Sequence, residues 1–197
     1  LVEEQVAQIR RAAAESQLSY LGCSFLAVPT ANLLPAGFSD DFAVVVGNPN
    51  DVVAEVSIRH RGAAFDVVQV PPEATLAVTL PYHEELASPG PSVRVQDGAF
   101  ELRSSVPVSA YQYNPLHFQR GADFSYTNDA SMLLPEHVLT GDYIVSAWPS
   151  WGLGASPALT FDWVPGFFTV VATTNSTQVT ITSTAATASG TIAALTP

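Results

Sequence analysis

Short apolar runs broken by turn residues, with no helical pattern between them, constrain this chain most. From residue 19 onward such runs recur at 20–28, 42–46, 52–58, 65–70, 75–80, 99–104, 106–113, 142–148, 158–163, 167–172 and 178–182. Val52, Ala54, Val56 and Ile58 alternate onto one face, as a half-buried strand requires. Gly47-Asn48-Pro49-Asn50-Asp51, Pro71-Pro72 and Pro81 punctuate the runs. The Ser104-Ser105 corner parts 99–104 from 106–113. Strands this frequent without interleaved helices predict an all-β fold of antiparallel units. Sandwich-like units are favoured, and a propeller-like arrangement is the alternative.

Only residues 1–18 carry a helical pattern. Val2, Val6, Ile9 and Ala13 recur at helical spacing, with Glu3 and Glu4 early and Arg10 and Arg11 late, as the helix dipole favours. Leu1 opens directly into this amphipathic stretch and not into a secretory leader, which reads as a mature or trimmed form of a longer protein. Residues 42–58 line up with 168–181, each an apolar strand, an Asn-containing turn and an alternating strand. A hairpin used twice divides the chain into a helix at 1–18, a first β unit at 19–120 and a second, incomplete unit at 121–197. Nothing after Thr182 matches the closing Ser105-Val-Pro-Val-Ser-Ala-Tyr111 segment, so open strand edges and self-association are expected.

Charge narrows the partners. The 197 residues carry a net charge of −11, and all seven cations are arginines. Nucleic acid and anionic lipid both select basic surfaces, so neither is expected. No apolar run approaches the roughly 20 residues that cross a bilayer. The absence of lysine, with abundant Ala, Val and Pro, suggests a GC-rich bacterial source.

Three stretches together carry a family resemblance. They are Ser19-Tyr-Leu-Gly-Cys-Ser-Phe25, Ser105-Val-Pro-Val-Ser-Ala-Tyr-Gln-Tyr-Asn-Pro115 and Asn128-Asp-Ala-Ser-Met-Leu-Leu-Pro135, followed by Tyr143-Ile-Val145 and Pro165-Gly-Phe167. In order and spacing they resemble the IgGFc-binding protein N-terminal domain family over roughly residues 19–182. The resemblance implies an extracellular or cell-surface setting, an all-β repeat fold, a binding role and no catalytic residues. Ser24 departs from the acidic residue common at its position, and the upstream cysteines frequent in relatives are missing.

No chemistry-bearing constellation is complete. His83-Glu84-Glu85 lacks the second histidine of a zinc-protease motif, and His60, His117 and His137 have no ligand-like spacing. Gly152-Leu-Gly154-Ala-Ser156 is not a nucleophile elbow. Cys23, the single cysteine, lies in an apolar strand and is expected to be buried and inert. Asp40 and Asp41 with Asn48, Asn50 and Asp51, and Asp123 with Asn128 and Asp129, are weak calcium candidates, since ordinary turn chemistry explains the same residues. Asn175-Ser-Thr177 reads as a turn.

Trp148-Pro-Ser-Trp151, with Trp163, places large aromatics in a Pro- and Gly-containing loop, the composition of a partner-binding anchor or of a cap on the core. Tyr111, Tyr113, Phe118, Phe124 and Tyr126 extend the aromatic set, with Tyr111 and Tyr113 expected inward. The expectation is a surface module that recognises a protein or glycan through Trp148, Trp151 and Trp163, and not an enzyme. The alternative is a structural subunit of a surface filament, joined through strand contacts.

Overall fold

A computed structural model describes residues 2–32, 41–87, 91–125, 128–152 and 163–197. It is a curled antiparallel sheet carrying one long helix, in agreement with the all-β expectation. Helix α1 (Val2–Ser16) is followed by β1 (Gly22–Ala27), β2 (Ala43–Asn48), β3 (Ala54–His60), β4 (Ala63–Val70) and β5 (Ala74–Thr79). A short helix, α2 (Glu84–Ala87), precedes the 15-residue strand β6 (Phe100–Asn114). The hairpin β7 (Gln119–Arg120) and β8 (Asp123–Phe124), then β9 (Asp129–Met132), complete this part of the chain.

Strand β6 organises the seven-stranded sheet. Its first half lies between β3 and β1, so that Leu102 has Ile58 on one side and Phe25 on the other. Its second half lies between β2 and β9, with Val46 beside Ala110 and Tyr111 beside Met132. Two four-stranded arrays, β4-β3-β6-β1 and β5-β2-β6-β9, thus share one strand. The sequence pattern of two strands parted at Ser104-Ser105 is corrected: β6 runs through that point unbroken, and only its neighbours change. Val106, Pro107 and Val108 are buried in succession there, which interrupts the alternation that marks a one-faced strand. The curl encloses Phe25, Phe42, Phe100, Ile58, Leu80 and Leu102, each almost wholly out of water. Burying side chains of this size stabilises a fold by about 1.5–3 kcal/mol apiece.

The hairpin reading of 42–58 is also corrected. β2 and β3 do not pair with each other; each pairs with β6. The turn between them is built on Asn48, which is 2% exposed. Its Nδ2 donates to the carbonyls of Val52, Val70 and Pro71 at 2.8–3.1 Å, and its Oδ1 accepts from the Asn50 amide at 3.0 Å. This network carries the chain from one array to the other. The β3–β4 connection, by contrast, is a tight hairpin through Arg61 (φ 50°) and Gly62 (φ 75°), the pair of positive φ values that a type I′ turn needs.

Helix α1 forms where expected but turns a different face to the sheet. Ala14 is buried and Ala7 packs against the core, whereas Val6 and Ile9 are exposed. The small alanines allow the helix to lie close, and Arg10, on the same face, reaches Asp51 Oδ1 at 2.6 Å.

Beyond β9 the expected strands at 142–148, 167–172 and 178–182 are not in any ladder. They have the composition of strands, but alternation alone supplies no hydrogen-bond partner. The pair β10 (Trp151–Gly152) and β11 (Trp163–Val164) is the regular structure described in this region. Most of the expected strand at 158–163 falls outside the described residues. The far end of the chain docks on the body through Ile192 N to Ser92 O at 3.3 Å and Arg94 N to Thr191 Oγ1 at 2.8 Å. No described helix is long and apolar enough to cross a membrane.

Candidate functional site

The three stretches that carried the resemblance come together on β6. The Ser105–Pro115 stretch lies in and just beyond that strand, the Ser19–Phe25 stretch enters β1 on one flank, and the Asn128–Pro135 stretch enters β9. The latter two touch directly, because Pro135 packs onto Gly22.

After β9 the chain leaves the sheet and displays apolar side chains to water. Ile144 is 100% exposed and Trp148 is 89% exposed, with Tyr143 and Val145 between or beside them also exposed. Phe167, Phe168 and Val170 add to the exposed apolar set farther along. Local bonds hold the path. Thr140 N donates to the Tyr143 hydroxyl at 2.8 Å, and Thr140 Oγ1 donates to the Asp142 carbonyl at 3.2 Å. Gly166 lies so close to the Trp148 carbonyl that a Cβ would collide with it, and its amide donates to Ser150 Oγ at 3.2 Å. Pro165-Gly166-Phe167 is therefore backed against Trp148-Pro149-Ser150. Of the three tryptophans, Trp148 stands in water, and the backbones of Trp151 and Trp163 lie on the paired strands β10 and β11. Tyr143 to Val145 read as strand in the sequence because three consecutive large side chains suit a sheet; their exposure is what sequence reasoning missed.

The other aromatics divide. Tyr111 and Tyr113 are half-buried on β6. Phe118 and Phe124 are exposed and meet edge to face at 5.8 Å across the β7–β8 hairpin. Tyr126 lies outside the described residues.

Three of the acidic candidates, Asp41, Asp51 and Asp129, have protein partners. Asp41 is buried, its Oδ1 2.7 Å from His117 Nδ1 and its Oδ2 accepting the His117 amide at 2.7 Å. Asp51 and Asn50 both receive Arg10, at 2.6 and 3.4 Å, and the guanidinium lowers the Asp51 carboxyl below its usual range. Asp129 Oδ2 accepts from Asn32 Nδ2 at 3.3 Å, and Asp123 is an exposed residue of β8. Asp40 lies outside the described residues. Among the described residues no group of three or more His, Cys, Asp or Glu is arranged to hold a metal ion.

Two histidines, 23 residues apart, meet unexpectedly. His83 Nε2 and His60 Nε2 are 2.6 Å apart, and the His60 ring stacks on Phe100 at 4.1 Å. Arg61 Nη2 is 3.4 Å from His83 Nδ1. With a guanidinium donor on that side, Nδ1 of His83 is the acceptor and its Nε2–H donates to His60. Burial first, then the neighbouring cationic groups, holds both rings below the ordinary histidine range. Cys23 is half-buried and not fully enclosed, because it sits where the β1–β6 register breaks. Burial raises its thiol pKa, and a hydrogen bond from Arg11 opposes this.

Residues 129–197 match the family model described as IgGFc binding protein. The match takes in all but the first residue of the Asn128–Pro135 stretch, the exposed segment around Trp148 and the Pro165-Gly166-Phe167 turn. The Ser19–Phe25 and Ser105–Pro115 stretches lie outside the matched residues. No curated protein matches the chain. Among solved structures the chain is similar to one titled "Crystal Structure of Thermotoga maritima 1070", at 14% identity and a TM-score of 0.36, over 58% of this chain and 95% of that chain. A likeness that slight carries no argument about fold or function.

Proposed function

We propose that this chain is an extracellular or cell-surface binding module whose partner is a protein that packs on the apolar face around Ile144 and Trp148. The observation that carries this reading is the near-complete exposure of those two side chains, flanked by Tyr143 and Val145, inside the matched segment. Large apolar side chains left in water mark interaction sites in soluble proteins more often than packing faults. Tryptophan is also the side chain whose burial most often dominates an interface. The family description makes the Fc fragment of immunoglobulin G the first probe to use. Binding to immobilised Fc should weaken by roughly 30-fold, about 2 kcal/mol, in a chain carrying Trp148→Ala with Ile144→Ser. The far-UV spectrum and melting temperature should stay unchanged.

A second reading rests on a separate observation. Residues 167–172 and 178–182 have strand composition yet are in no ladder, and Phe168 and Val170 are exposed. Segments of that kind pair with other chains. In this reading the partner is a second copy and the product is a filament. Sedimentation of the isolated chain across a concentration series separates the two: a monomer that binds Fc supports the first, and concentration-dependent association supports the second.

A further inference from the structure

Four strands lie at the outside of the sheet: β4 and β1 end one array, β5 and β9 the other. A sheet edge displays unpaired N–H and C=O groups that another strand can take, so folded chains blunt their edges. Three of these edges are blunted. On β4 the register skips Phe65, with Ile58 facing Asp66 and Arg59 facing Ala64, and a bulge of this kind breaks an edge. Asp66 Oδ1 also accepts the Val67 amide at 2.8 Å. Pro135 and the 3-10 turn Glu136–Val138 pack against β1. β9 has only four residues and opens on Asp129.

Strand β5 carries none of these devices among the described residues. Its six residues, Ala-Thr-Leu-Ala-Val-Thr from Ala74 to Thr79, are uncharged, and their register with β2 is unbroken. One bond fixes where its backbone groups point. Leu80 N donates to Phe42 O at 2.8 Å, one step beyond the Ala43–Thr79 pair. Hydrogen-bonded pairs recur at every second residue of an antiparallel ladder, so Val78, Leu76 and Ala74 turn their N–H and C=O groups to β2. Thr75, Ala77 and Thr79 turn theirs away from β2, and all three residues are exposed. Among the described residues no hydrogen bond reaches those outward amides.

A second copy of the same strand fits this edge. Laid antiparallel with Ala77 on a two-fold axis, Thr75 faces Thr79 of the other copy and Ala77 faces Ala77. The outward groups then fall in hydrogen-bonded pairs, each N–H of one copy meeting a C=O of the other. Threonines facing each other across strands attract. On the opposite face of β5, half-buried Leu76 would meet Val78, which packs in the core, so the apolar layer continues across the joint. The net charge of −11 does not oppose this approach. The charged residue next to the strand, Glu73, would stand opposite Pro81. The two Glu73 residues would lie about 27 Å apart along the strands, well beyond the roughly 8 Å screening length of physiological salt.

We propose that two copies of this chain pair through the free edge of β5, Ala77 lying on the two-fold axis. The interface is isologous and uses up the edge on both copies, so assembly closes at a dimer. It involves neither the face around Trp148 nor residues 167–182, and it depends on neither reading of them. A filament grows without limit, so the end point of association tells the two apart.

The test is sedimentation equilibrium of the full 197-residue chain, up to a concentration of about 1 mM. The average mass should rise from 20.8 kDa toward twice that value and stop there. So short an edge buries less than a standard interface, so a Kd of roughly 100 µM is expected. Ala77→Pro removes an outward N–H without touching the β2 ladder, and should weaken association about tenfold or more. Should that variant fail to fold, Thr75→Lys with Thr79→Lys takes its place, since like charges would then face each other across the axis. Phe168→Ser with Val170→Ser should leave the dimer unchanged. Amide hydrogen exchange at Thr75, Ala77 and Thr79 should be fast in dilute solution and slow in concentrated solution. A monomer at about 1 mM would overturn the proposal and leave the edge free or open to a strand of another protein. Growth past two copies, or association that both edge variants leave intact, would overturn it equally.

Discussion

Gly22 and Pro135 are in such close contact that a Cβ on the glycine would collide with the proline ring and stand 3.2 Å from His137 Cε1. The contact joins the start of β1 to the turn after β9, two segments more than a hundred residues apart that both flank β6. Gly22→Ala should therefore destabilise the chain by about 1–3 kcal/mol, the usual cost of overpacking a closed site. Urea denaturation reads this out. A change within error of zero would mean that Pro135 moves aside freely.

Asn48→Ala should be comparably costly for a different reason. Its side chain satisfies three carbonyls and accepts from the Asn50 amide, in a site closed to water. Truncation leaves buried groups unpaired, at about 1–3 kcal/mol. Asn50→Ala should cost less, since Asn50 lies nearer the surface of the turn. The order of the two midpoints in urea checks the assignment.

The His60–His83 pair makes stability depend on pH in a stated direction. Both folded-state pKa values lie below the unfolded value of about 6.5. Between that value and the lower folded pKa values, the unfolded chain binds protons that the folded chain refuses. Stability therefore falls as pH falls through this window, and the pair ceases to add to the slope once both states are protonated. Arg61 reinforces the depression at His83 and Glu85 opposes it. Asp51, lowered by Arg10, acts in the same direction only below about pH 4. Urea midpoints between pH 7 and 5 should decline in the native chain and flatten in His60→Gln with His83→Gln. A flat profile in the native chain would contradict the buried neutral pair.

Much of the sheet was legible because β3 obeys the simplest rule: Ala54, Val56 and Ile58 alternate inward as a half-buried strand does. Elsewhere tertiary context overruled pattern. The Ser104-Ser105 corner marks a real event, but the event is a change of neighbours along β6, which no local pattern encodes. The helix was placed correctly while its buried face was misjudged, because close approach selected Ala7 and Ala14 over the larger Val6 and Ile9. Exposure of Trp148 fits the turn residues around it, whereas Ile144 and its neighbours read as strand. The His60–His83 contact arises from residues distant in sequence, beyond the reach of spacing arguments.

The central claim is that the face around Trp148 is covered by a protein partner. The chain has three tryptophans, at 148, 151 and 163, so incorporation of 5-fluorotryptophan gives a ¹⁹F spectrum with one resonance for each. Trp148→Phe assigns the resonance of interest. In the dilute free chain that resonance should lie close to solvent-exposed indole, and saturating immunoglobulin G Fc should shift or broaden it more than the other two. If it stays unmoved with Fc, and stays unmoved when the chain itself is concentrated, the face is not a protein-binding surface and the account fails.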